Sequence, residues 1–104
     1  MYSAHFEPVT DYRHEKERPI AWVVRMYKAA DALEAFRHHM PYVNSCTLHR
    51  KCLNIAEAKG LVGTPDLAQF RTLMRALPSI GIDILEINRH GRIHIYETRE
   101  ERWQ

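Results

Sequence analysis

Apolar positions along this chain recur at two spacings, and each change of spacing marks a new element. Ile20–Tyr27 is rich in β-branched and aromatic residues and predicts a strand, although a helix starting after Pro19 also fits. Ala29, Leu33, Phe36 and Met40 then recur at helical spacing, which predicts a helix from Ala29 to Met40 that Pro41 stops. Asp31 and Glu34 lie near its start, and Arg37, His38 and His39 near its end, as the helix dipole prefers. Tyr42–Lys51 alternates through Cys46 and Leu48 and predicts a short strand.

Asn54 followed three residues later by Glu57 has the form of a capping box, so Ile55–Lys59 is expected to be a short helix closed by Gly60. Thr64 is the next expected N-cap, with Pro65 and Asp66 in the first turn. Leu67, Phe70, Met74 and Leu77 form the expected buried stripe of that second helix, which ends before Pro78. Two strands, Ile82–Asn88 and Arg92–Arg99, then flank Arg89-His90-Gly91 and predict a hairpin. A three-residue loop with a bulge at Gly91 sets Ile87 opposite Ile93 and Leu85 opposite Ile95, giving one apolar face. The same register pairs Glu86 with His94 on the other face.

Composition narrows the class without choosing a function. The chain has 104 residues, 45% hydrophobic and 27% charged, which fits one globular domain of residues 20–104 behind a polar N-terminal arm of residues 1–19. No apolar run is long enough to span a bilayer, and Met1–Glu7 lacks the features of a signal peptide, so a cytoplasmic, non-membrane protein is expected. A formal charge of +2 is modest for a nucleic-acid binder, but acids are absent from Ala35 to Ala56 and from Ile87 to Tyr96. Cys46-x-x-His49-x-x-Cys52 matches no common structural zinc spacing, and on a strand His49 points away from the face that both cysteines share. No metal and no cofactor is expected.

The stretch Ile55-Ala56-Glu57-Ala58-Lys59-Gly60-Leu61, continued by Thr64–Leu77, resembles the helix-turn-helix core of the winged helix-turn-helix superfamily. Ala58 supplies the small residue inside the first helix, Gly60 the turn, and Leu61 the apolar residue after it. That resemblance implies an α+β, winged-helix-like domain, with the helix-turn-helix at 54–77 and the hairpin at 82–99 as the wing. It further implies a recognition helix whose outward face holds Ala68, Gln69, Thr72 and Ala76, with Arg75 at one flank. Gln69 and Arg75 would read base edges, while Arg71 and Thr72 would touch phosphates. Arg89, His90 and Arg92 at the wing tip, with Arg50 and Lys51, complete the expected duplex DNA contacts.

Two functions follow as expectations. The first is a small, non-enzymatic DNA-binding protein, acting alone or as a homodimer. The second is a protein-interaction module, an inhibitor or adaptor such as mobile elements encode, which the near-neutral charge and the two alanines on the helix face also suit. Glu86 and His94 facing each other would be one way to orient an imidazole, but no nucleophile accompanies them, so enzyme activity is not expected.

Overall fold

The computed structural model describes residues 1–9, 19–63 and 65–104. Its strands are β1 (Ser3–Val9), β2 (Ala21–Tyr27), β3 (Asn44–Cys52), β4 (Ile55–Val62), β5 (Ile84–Arg89) and β6 (Arg92–Glu97). They form one six-stranded sheet in the order β1-β2-β3-β4-β5-β6. All neighbours are antiparallel except β4 and β5, which run parallel. Among the described residues there are two short α-helices, α1 (Ala32–Arg37) between β2 and β3, and α2 (Leu67–Ala76) between β4 and β5, with single 3-10 turns at Leu77–Ile80 and Glu101–Trp103. A parallel pair needs a crossover connection, and α2 is that connection.

This architecture overturns the winged-helix expectation. Ile55–Lys59 is not a helix but the first part of β4, so among the described residues the element directly before α2 is a strand and no helix-turn-helix forms. Helix propensity in Ala56, Glu57, Ala58 and Lys59 gives way to tertiary packing. Ala56 is fully buried between β3 and β5, and Ala58 packs on the same core, so small side chains suit the floor beneath α2. Asn54 caps no helix either. Its carbonyl accepts from the backbone N–H groups of Asp83 and Ile84, tying the β3–β4 turn to the start of β5.

The core lies on the α2 side of the sheet. Trp22, Leu48, Met74, Leu77, Ile82, Leu85 and Trp103 pack there, with Phe70, Leu73, Ile87 and Tyr96 at its margin. Leu48, Met74, Leu77, Ile82 and Leu85 are fully buried, and each contributes about 1.5–3 kcal/mol by leaving water. Leu67, expected in the buried stripe of α2, is 66% exposed, while Gln69 is buried. The sheet-facing arc of α2 therefore runs through Gln69, Phe70, Leu73, Met74 and Leu77. The expected outward position of Gln69 is wrong for that reason.

On the opposite face, α1 covers only one corner. Ala32 and Ala35 bury against Tyr27, and Phe36 stacks on the His5 ring at 4.1 Å. The helix is shorter than the Ala29–Met40 span expected. The Asp31 side chain accepts from the Glu34 N–H at its start, and His39 ends it in a left-handed conformation (φ 52°). Leu33 and Met40 of the expected stripe are exposed. Residues 3–9, read from sequence as part of a polar arm, form the edge strand β1 against β2.

The hairpin of β5 and β6 also differs from expectation. Its loop has two residues, His90 (φ 52°) and Gly91 (φ 77°), both in the left-handed region that a type I′ turn requires. Arg89 pairs with Arg92, and Ile87 lies opposite His94 rather than Ile93. One residue of slip moves every side chain to the other face. Glu86 consequently lies opposite Ile95, and His94 points to the opposite face from Glu86, so the expected Glu86–His94 pair does not form.

Candidate functional site

Three local features open a groove where β4 and β5 end. The first is a bulge in β4: Ser45 pairs with Val62 and Thr47 with Lys59, leaving an extra residue around Gly60 (φ 63°). That bulge places exposed Leu61 on the rim. The second is the start of α2, where the Asp66 side chain accepts from the Gln69 N–H at 2.8 Å. Gln69 Oε1 in turn accepts from the Asp66 N–H at 3.2 Å, completing a capping box. The third is a buried amide pair, Asn44 Nδ2 of β3 donating to the same Gln69 Oε1 at 2.8 Å. This bond ties the helix start to the sheet and leaves open the space beside it.

The groove holds about 520 Å³ between α2 and strands β2 to β5. Its floor is apolar, drawn from Met26, Cys46, Ala58, Leu73 and Ile87, and Asn44, Gln69, Asn88 and Arg89 contribute polar groups. Burial pushes the Cys46 thiol up to about 11, so it is protonated at neutral pH and serves as a small apolar wall. The position is the usual one for a ligand crevice beside a parallel strand pair, outside the carboxyl ends of the strands.

The residues expected to contact DNA do not share one surface. Gln69 is 9% exposed, and its amide is occupied by Asn44 and Asp66. Thr72 Oγ1 donates to the Ala68 carbonyl at 3.0 Å, and Arg75 Nε donates to the Trp103 carbonyl. Arg71 is half-buried on α2. Arg50 lies over the Trp22 ring at 4.9 Å, and its guanidinium donates to the carbonyls of Pro19 and Leu53. Lys51 Nζ contacts Glu86 Oε2 at 2.8 Å, and this hydrogen bond and charge raise Lys51 above the ordinary lysine value. Arg89, His90 and Arg92 do come together, exposed at the β5–β6 turn. They lie at the opposite end of the sheet from Arg50 and Lys51, because β4 and β5 run parallel away from the β3–β4 turn.

The metal-like spacing does not place both cysteines on one face as a regular strand would, because an irregularity between Arg50 and Cys52 sets exposed Cys52 opposite Ile55. Cys46 is buried on the α2 face, whereas His49 is exposed. Among the described residues, no group of three or more His, Cys, Asp or Glu is placed to hold a metal ion. No helix among the described residues is long and apolar enough to cross a membrane. The sequence matches no known family model and no curated protein, and the fold matches no solved structure.

Sequence reasoning missed Asn44, Leu61 and Leu73 as site residues. Gly60 was the one local signal available, since a glycine inside a strand often marks a bulge. The Asn44–Gln69 bond joins residues 25 positions apart and has no local signature.

Proposed function

We propose that this chain is a non-enzymatic binding module whose groove beside α2 takes an apolar side chain from a segment of a protein partner. The observation that carries this reading is the open apolar floor of Met26, Cys46, Ala58, Leu73 and Ile87 beneath a polar rim. A few placed polar groups around an apolar cleft fix the orientation of a bound segment. The exposed guanidinium of Arg89 on the rim favours a carboxylate next to the apolar anchor. Binding of base edges by α2 is disfavoured, because Gln69 and Arg75 are held by Asn44, Asp66 and Trp103.

Selection of a random peptide library on the wild-type protein tests this reading, with affinities then measured by calorimetry. Peptides with an apolar anchor next to an acidic residue should be enriched. Their binding should fall at least about tenfold with Leu61→Glu or Arg89→Glu, which is about 1.4 kcal/mol. Both substitutions change exposed rim residues, so folding should be retained. Lack of enrichment, or equal binding to both variants, would overturn the proposal.

A second reading, duplex DNA binding through the hairpin tip, is favoured by one observation. Arg89, His90 and Arg92 cluster there without an acidic partner among the described residues. Salt-dependent anisotropy of a labelled duplex separates the two. Steep weakening with salt, reduced by Arg92→Ala and untouched by Leu61→Glu, would favour DNA.

A further inference from the structure

The β6 edge carries a second, independent signal. A type I′ hairpin closes on a pair that exchanges both backbone hydrogen bonds, here Arg89 and Arg92. Alternate pairs repeat that pattern, so His94 and Tyr96 also turn their backbone groups toward β5. The N–H and C=O groups of Ile93 and Ile95 must then point outward, along the open edge. The next outward carbonyl in the series, that of Glu97, is taken by the Trp103 indole N–H at 3.0 Å. The tail therefore covers the edge from Glu97 onward and lays Arg102 over the Tyr96 ring at 5.5 Å, and among the described residues no segment pairs with the edge from Arg92 to Ile95.

Natural sheets blunt such edges with proline, lysine, bulges or a covering segment. The edge strand β1 has Pro8. The open stretch of β6 has none of these devices, and its Ile93 and Ile95 are 59% and 60% exposed. Both project from the face away from α2, because they alternate with His94 and Tyr96, whose partners Ile87 and Leu85 belong to the core side.

The order of residues here is self-complementary. We infer that β6 pairs antiparallel with β6 of a second copy of this chain, about a two-fold axis through His94 and perpendicular to the sheet. Directly opposed residues must share a face, so the axis has to pass through a residue rather than between two. An axis at His94 sets Ile93 opposite Ile95 of the second copy, and Ile95 opposite its Ile93. All four outward backbone groups of each copy are then paired, and four isoleucines form one apolar cluster. Arg92 falls opposite Tyr96 on the other face, whose ring is already covered by Arg102 at 5.5 Å, so the apolar cluster rather than this pair carries the contact. An axis at Ile95 would instead set Ile93 opposite Glu97, whose carbonyl Trp103 already occupies. The contact is isologous and closes at two copies, joining the six-stranded sheets into one.

Sedimentation equilibrium of the wild-type chain should give twice its 12.3 kDa mass, and Ile95→Lys should lose the dimer while keeping its circular dichroism spectrum. The register has its own test, His94→Cys in a Cys52→Ser background, with buried Cys46 left in place. Opposed residues of a non-hydrogen-bonded pair stand about 4.5 Å apart between Cα atoms, within disulfide range, so His94→Cys should cross-link under mild oxidation. Ile95→Cys in the same background should not cross-link to its own copy. A monomer up to millimolar concentration, a dimer that survives Ile95→Lys, or cross-linking at position 95 and not at 94 would each overturn the inference. None of these outcomes depends on whether the groove binds a partner.

Discussion

At the scale of single residues, backbone conformation decides more than side-chain identity. Gly63 has φ 89°, and a Cβ there would lie 3.0 Å from the Val43 carbonyl oxygen and 3.1 Å from the Asn44 Cβ. Gly81 has φ 79° but open space where a Cβ would go. Gly63→Ala should therefore cost more than Gly81→Ala, about 2–3 against 1–2 kcal/mol, read by urea unfolding. Equal losses would mean that β3 yields without cost. A second prediction concerns Cys46. Its thiol is pushed up to about 11, above its unfolded value, so the unfolded chain loses the proton first as pH rises. The stability this contributes is intact below pH 9 and is lost toward pH 11. Subtracting the stability–pH curve of Cys46→Ala from that of the wild type should reveal a fall over that window; a flat difference would contradict the buried thiol. At neutral pH, alkylation should modify exposed Cys52 and spare Cys46 until the chain unfolds. Burial of Cys46 was legible in sequence from the alternation with Leu48. The need for glycine at position 63 was not, because the clash is with residues on another strand.

At the scale of elements, β2, β3 and the two hairpin strands were readable, whereas the edge strand β1 and the alanine-rich β4 were not. Ile20–Tyr27 and Tyr42–Lys51 announced β2 and β3 closely. By contrast, β4 carries Ala56, Glu57, Ala58 and Lys59, good helix formers whose strand conformation is imposed by neighbours on both sides. Losing β4 hid the parallel β4–α2–β5 unit, and with it the groove. What holds α2 over that groove can be measured. The Asn44–Gln69 bond is buried at 2.8 Å; removing Gln69 leaves the Asn44 Nδ2 without this acceptor, and removing Asn44 leaves Gln69 Oε1 with the Asp66 N–H alone. Asn44→Ala and Gln69→Ala should each cost about 1–3 kcal/mol, and the double variant less than their sum. Asp66→Ala removes only the cap and should cost about 1 kcal/mol. Guanidinium unfolding of the four variants checks the ordering, and strict additivity at positions 44 and 69 would show that the bond contributes nothing.

At the scale of the whole molecule, a sheet in chain order leaves β1 and β6 at opposite edges, and the C-terminus closes the core over the β6 side. After β6 the chain turns back over the α2 face and buries Trp103 to 2% exposure. There the indole meets Phe70 at 5.2 Å and Tyr96 at 6.2 Å between ring centroids. Its N–H reaches the Glu97 carbonyl, and its own carbonyl accepts from Arg75 of α2. One residue thus joins α2, β6 and the tail. Trp103, an aromatic residue in the charged segment Glu97–Gln104, has little other means of leaving water than to fold back on the core. Its partners depended on the hairpin register, which a one-residue difference in loop length reversed. Two substitutions separate packing from hydrogen bonding at this position. Trp103→Phe retains most of the buried ring but frees the Glu97 carbonyl, and should cost about 1–2 kcal/mol. Trp103→Ala empties the site beneath Phe70 and should cost about 3–5 kcal/mol. Hydrogen exchange at α2 and β6 should rise together in Trp103→Ala, since both elements lose the same support. If β6 alone became labile, the tail would be an edge cover and α2 would be held by the sheet without it.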